Sequence, residues 1–219
     1  MKRKISFYVA IIATLAFVLW TVLLRVIDVQ AIGPNGSKVG FASVNAFFHT
    51  RIGVNMRLYV LTDWLGFVPI GIAFGFAVLG FIQWLQRKNI CQVDYNLLAL
   101  GAFYIVVFAI YLAFEYVVIN YRPVLINGNL EASYPSSTTI LVLCIMPTAI
   151  LQLHQRLTKG VFKTAVLCAM STFTLFMPIA RLLSGVHWFS DIVGGILISL
   201  ALVSGYCAVV FKRRSTSVE

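Results

Sequence analysis

Six apolar runs dominate this chain, each near the ~20 residues that carry a helix across a bilayer core. They fall at roughly 6–27, 57–85, 96–120, 138–154, 162–182 and 187–211. Together they take up most of the 219 residues. Hydrophobic residues make up 60% of the chain and charged residues 11%, with a mean hydropathy of +0.92. A soluble domain is about half apolar and a quarter charged. A water-soluble enzyme, a disordered chain and a nucleic-acid-binding domain are therefore poor readings. The pattern predicts an all-α fold, an integral membrane bundle of six transmembrane helices, with residues 1–219 as a single membrane domain.

The start, Met1-Lys2-Arg3-Lys4, resembles that of a signal peptide, and Val29-Gln30-Ala31 has some look of a cleavage site. The run between them is nearer a full span than the ~7–15 residues of a signal-peptide core. It reads as a retained helix.

The formal charge of +10 suggests a polyanion partner until its distribution is examined. With the N-terminus inside and six crossings, Lys2, Arg3, Lys4, Arg87, Lys88, Arg156, Lys159, Lys163, Lys212, Arg213 and Arg214 fall inside. Only Arg25, Lys38, Arg51, Arg57, Arg122 and Arg181 fall outside. The positive-inside rule then places both termini in the cytoplasm of a cell membrane protein. Cys91, Cys144, Cys168 and Cys207 form no C-x-x-C pair and no zinc-type cluster with histidine. They read as free thiols, and no metal or cofactor is expected.

Two connections are long, both on the outer side. Residues 28–56 carry the turn signal Gly33-Pro34-Asn35-Gly36, then a mixed stretch from Val39 to Phe48 suited to a helix lying in the interface. Residues 121–137 are rich in Asn, Gly, Pro and Ser. No internal repeat and no pair of interrupted helices in matching halves is evident, which argues against a channel or secondary transporter.

Charges at membrane depth are costly and usually functional. Here they gather at one surface. Glu115 lies near the end of the third run, with Arg122-Pro123 just beyond; Pro135-Ser136-Ser137-Thr138 opens the fourth; Arg181 closes the fifth; His187 and Asp191 open the sixth. His187 and Asp191 stand four apart, on one face if both are helical. Asp191 can then accept a hydrogen bond from one ring nitrogen of His187 and leave the other as a nucleophile. Gly194, Gly195 and Ser199 continue near that face, which suits close helix packing. Arg122 and Arg181 are guanidinium forks suited to phosphate oxygens. Ser136, Ser137 and Thr138 stand at a helix N-terminus, where unpaired N–H groups face an anion. Tyr104, Tyr116 and Tyr121 are candidates for a pocket wall or for an interfacial belt.

These residues resemble the motifs of the type 2 phosphatidic acid phosphatase superfamily, K-x6-R-P, P-S-G-H and S-R-x5-H-x3-D. This chain reads Glu115-x6-Arg122-Pro123, Pro135-Ser136-Ser137-Thr138 and Ala180-Arg181-x5-His187-x3-Asp191. The likeness covers a core of about 95–211. It implies a metal-independent phosphoric ester or diphosphate hydrolase acting on lipid phosphates at the outer face. It assigns His187 as the nucleophile that forms a phosphohistidine and Asp191 as its support. Arg122, Arg181 and the backbone of Ser136 and Ser137 cradle the phosphoryl group, with Thr138 beside them.

The departures bear on activity. Glu115 replaces the family lysine, Thr138 the histidine that protonates the leaving group, Ser137 a glycine and Ala180 a serine. A threonine is no general acid near neutral pH, and such catalysis is worth ~10²–10⁴-fold. A diphosphate, whose leaving group is itself a phosphate, needs less help than a monoester. The expected substrate is thus a lipid diphosphate such as a polyprenyl diphosphate, or phosphatidylglycerol phosphate. His49 or Glu115 are alternative proton sources. The competing expectation is a catalytically impaired protein that binds lipid phosphate without turning it over.

Overall fold

The computed structural model describes the backbone of residues 2–216 and the side chains of residues 3–210. The side chains of Lys2, Lys212, Arg213 and Arg214, counted above as cytoplasmic, lie outside the described set. Among the described residues there are eight α-helices. They are α1 (Lys2–Val26), α2 (Ala42–Ile52), α3 (Met56–Leu65), α4 (Phe67–Arg87), α5 (Tyr95–Tyr116), α6 (Ser137–Arg156), α7 (Val161–Leu183) and α8 (Phe189–Thr216). Six stretches are long and apolar enough to cross a membrane. The chain is an all-α membrane bundle.

The second predicted run is two helices. The helical stretch that holds it, Met56–Arg87, has 32 residues and would reach about 48 Å as one helix, well beyond a ~30 Å core. The chain breaks at Gly66, whose N–H bonds the carbonyls of both Thr62 and Asp63 at 3.0 Å. Pro69 enforces the break, because a proline ring clashes with the carbonyl four residues back. The 21 residues of α4 reach about 32 Å, long enough to span such a core without α3. The helix expected within Val39–Phe48 is α2, shifted to Ala42–Ile52. The third run ends at Tyr116 rather than 120, where the branched residues Val117, Val118 and Ile119 leave the helix.

Helix α6 is the axis of the bundle, packed against α4, α5, α7 and α8, while α1 lies along α8. One core cluster joins Leu100, Tyr104 and Val107 of α5 to Ile140, Cys144 and Ile145 of α6. A second joins Met146 and Ala149 of α6 to Met170 and Met177 of α7. The polar groups of α6 are satisfied internally, as a membrane core demands. Thr148 donates to the Cys144 carbonyl at 2.7 Å and Gln152 donates to Tyr206 Oη at 2.9 Å.

The 121–137 connection holds a short β-ribbon. Asn127 and Gly128 both have positive φ, as a two-residue type I′ turn requires, and Ile126 and Asn129 exchange backbone hydrogen bonds around it. Farther along the ribbon, Arg122 N–H meets the Glu131 carbonyl at 3.0 Å and Ser133 N–H meets the Asn120 carbonyl at 2.9 Å.

Candidate active site

Four chain segments converge at one end of the bundle. The ribbon brings Arg122 and Ser133. The last turn of α7 brings Arg181, the α7–α8 connection brings His187, and the first turn of α8 brings Asp191. The α7–α8 connection is clamped. Gly185 has φ +69°, and a Cβ there would stand 1.9 Å from the Gly53 carbonyl oxygen. Next to it, Asn55 N–H bonds the Ser184 carbonyl at 2.9 Å. Asn45, fully buried on α2, holds the start of α8 by accepting from Ser190 N–H at 3.0 Å and donating to Ser190 Oγ at 2.9 Å.

His187 is buried and meets both guanidiniums at one atom. Its Nε2 lies 3.2 Å from Arg122 Nη1 and 3.2 Å from Arg181 Nη2. A guanidinium can only donate, so Nε2 must present its lone pair. The ring proton therefore sits on Nδ1. Burial, then Arg122 and Arg181, hold the imidazole well below its ordinary pKa of 6.5, so it is neutral at neutral pH.

The expected direct bond from His187 to Asp191 is not made. His187 precedes α8 instead of lying on it, and Nδ1 stands 3.7 Å from Asp191 Oδ2. Ser133 Oγ lies between them, 3.2 Å from Nδ1 and in a short hydrogen bond to Asp191 Oδ2. Asp191 also accepts Trp188 N–H at 2.8 Å. It thus binds the N–H just ahead of the helix, as the third residue of a capping box does.

The two arginines line a cavity of about 770 Å³ with Ser137, Thr138 and Glu115. Ser136, expected among the phosphate contacts, is not part of its wall. Its N–H bonds the Asp191 carbonyl at 3.1 Å, its Oγ accepts from Thr139, and, although it is the N-cap residue, its side chain makes no capping bond to α6. The N–H groups that follow it in the first turn have no partner within the helix. Ser137 and Thr138, at that turn, remain in the cavity wall.

The sequence reading missed three other wall residues. Asp63 lies 3.6 Å from Arg181 Nη1, and Glu131 lies 3.1 Å from Arg122 Nε. The ring of Tyr59 lies 5.0 Å from the Arg181 guanidinium carbon and 5.8 Å from that of Arg122. Arg181 is 1% exposed, and an unpaired buried charge costs several kcal/mol. Asp63, the Tyr59 face and Thr62 Oγ1, which accepts from Nη1 at 3.3 Å, offset that cost. Asp63 is legible in the sequence as a carboxylate inside an apolar run, and the ribbon as Asn127-Gly128.

Among the other candidates, Tyr121 lines the cavity, Tyr104 is in the core and Tyr116 is 85% exposed. His49 is not in the cavity wall. Its ring lies 5.4 Å from that of Trp188. Gly195 packs on α6, where a Cβ would lie 3.0 Å from Thr139 Cγ2, and a Cβ on Gly194 would lie 2.4 Å from the Tyr134 ring.

No curated protein matches the chain. A crystal structure described as the first transmembrane PAP2 type phosphatidylglycerolphosphate phosphatase, from Bacillus subtilis, has a similar fold. The TM-score is 0.52 at 20% identity, over 94% of this chain and 97% of that one. The family model of the PAP2 superfamily matches residues 96–215, the stretch that contains Arg122, Ser133, Arg181, His187 and Asp191. On that match over more than half of its length, the chain belongs to the PAP2 superfamily.

Proposed function

We propose that this membrane protein is a lipid phosphatase acting on a lipid diphosphate or phosphate through a phosphohistidine at His187. The active site would face outward and both termini inward in the cell membrane, with the whole chain acting as one membrane domain. The observation that carries this reading is the neutral imidazole, its lone pair between two guanidiniums behind the wall of an outer cavity.

In the proposed reaction a phosphoryl group draws Arg122 and Arg181 from Nε2 onto its oxygens. Backbone N–H groups of Ser137 and Thr138 complete the cradle. The Nε2 lone pair attacks phosphorus, and the bond to the leaving oxygen breaks with its electron pair. From a diphosphate the leaving group is a lipid monophosphate, which needs no proton. Water then attacks phosphorus, the P–N bond returns its pair to Nε2, and a cavity carboxylate or the released phosphate takes the water's proton. No metal enters this route.

An apolar groove of about 720 Å³ between α4 and α5 supports a lipid substrate. It is lined by Ala73, Ala77, Phe81, Leu97 and Gly101, and it shares Ile70 with the polar cavity. A chain lying in the bilayer could follow that groove while its headgroup reaches the arginines. Polyprenyl diphosphate fits the missing acid at Thr138. Phosphatidylglycerol phosphate, the substrate in the description of the similar solved protein, is the second lipid to test.

Purified protein should release phosphate from the diphosphate in EDTA, and His187→Ala should abolish release. Wild-type turnover by His187→Ala would overturn the mechanism. The carboxylates on both arginines favour a second reading, a protein that binds lipid phosphate without cleaving it. Tight binding with no acid-quenched phosphoprotein would select it.

A further inference from the structure

We propose that Ser133 is a positioning residue that couples Asp191 to His187, a hydroxyl relay in place of a direct carboxylate–imidazole pair. The inference rests on the phosphohistidine reading above and concerns how its nucleophile is held.

The two guanidiniums set the direction of the hydrogen bonds around the ring. Both guanidiniums donate to Nε2, so Nδ1 carries the ring proton. Ser133 supplies the acceptors near Nδ1, its Oγ at 3.2 Å and its backbone carbonyl, since Asp191 Oδ2 at 3.7 Å is too far. Ser133 then has one proton left, and it goes to Asp191 Oδ2. The chain of donors runs from imidazole to hydroxyl to carboxylate, and it selects a single tautomer of His187.

Ser133 is 3% exposed and fixed from both sides. Its own N–H is tied to the Asn120 carbonyl across the ribbon. The next residue, Tyr134, is held by Thr21 of α1 at 2.7 Å, stacks on Phe17 and is pressed by Gly194 of α8. The groups facing the imidazole are Arg122, Arg181, Ser133 and Asp191. When Nε2 takes the phosphoryl group the ring becomes cationic, and its Nδ1–H bond to Ser133 strengthens. Asp191 stabilises that charge through the hydroxyl without receiving a proton.

The experiment is a double-mutant cycle with a spectroscopic arm. Ser133→Ala and Asp191→Asn should each lower kcat about 10- to 100-fold, as removal of a group orienting a reactive histidine does. Asp191→Asn should cost less than about twofold more in the Ser133→Ala background, because the coupling is already broken. The acid limb of the pH–rate profile should move in Ser133→Ala. Additive losses with an unmoved acid limb would overturn the proposal. In the ¹⁵N-histidine-labelled wild type, the Nδ1 proton of His187 should resonate as one donated to a hydroxyl. A far-downfield, carboxylate-bound proton would overturn it even if Ser133→Ala does not fold. Absence of phosphate release and of phosphohistidine in the wild type would sink the enzymatic reading while leaving the spectroscopic test standing.

Discussion

At the scale of single residues, the proposed site joins His187, Asp191 and the two arginines to Glu115 and Thr138, which we read as departures from the family pattern. His187 is neutral because burial and two guanidiniums disfavour its proton. Its folded pKa lies below 6.5, so the lone pair is already available under mildly acidic conditions. The acid limb of kcat/KM is therefore expected below pH 6.5, with a rate at pH 6 close to that at pH 7. A limb at or above 6.5 in the pH–rate profile would contradict the burial argument. Those departures predict a change of preference. Glu115→Lys with Thr138→His restores the cation and the acid of the family pattern. Hydrolysis of a lipid monophosphate should rise about 10²-fold or more relative to the diphosphate. The ratio of the two rates in one preparation measures this. Asp63 and Glu131 pair with the arginines, and under the proposed function they would compete with substrate, so Asp63→Asn should lower KM for the diphosphate more than it changes kcat.

At the scale of elements, short connections place the chemistry. The α7–α8 connection turns at Gly185, where positive φ costs any other residue about 1–2 kcal/mol. A methyl there also meets the Gly53 carbonyl, a backbone atom that cannot move without displacing the link between α2 and α3. Gly185→Ala should therefore lower the detergent-solubilised melting temperature and remove most activity together. The β-ribbon follows the same logic, with Asn127-Gly128 setting a register that delivers both Arg122 and Ser133. The break at Gly66 has a positional effect. It ends α3 with Asp63 and Tyr59 at the cavity and leaves α4 to cross the core.

At the scale of the whole molecule, the polar cavity and the apolar groove meet at Ile70. The proposed division of labour assigns the first to the phosphate and the second to the hydrocarbon chain. Gly101→Phe would narrow the groove from α5 at a site where a Cβ meets nothing within 4 Å. KM for a long-chain diphosphate should rise several-fold, while that for a short, water-soluble diphosphate should stay within about twofold. Equal effects on both would separate the groove from the substrate.

The number of spans and the gathering of His187, Asp191, Arg122 and Arg181 at one end were legible in the chain, because hydropathy is a local property and consecutive crossings alternate sides. So were Ser137 and Thr138 at the mouth of α6, a consequence of where the apolar run begins. The insertion of Ser133 between residues 54 and 58 positions away came only from packing. The same holds for the withdrawal of Ser136 onto Asp191, and for the pairing of Arg181 with Asp63 and of Arg122 with Glu131. Spacing along a chain sets which helix end a side chain occupies, but a hydrogen bond depends on distances of tenths of an ångström between segments that only the folded bundle brings together.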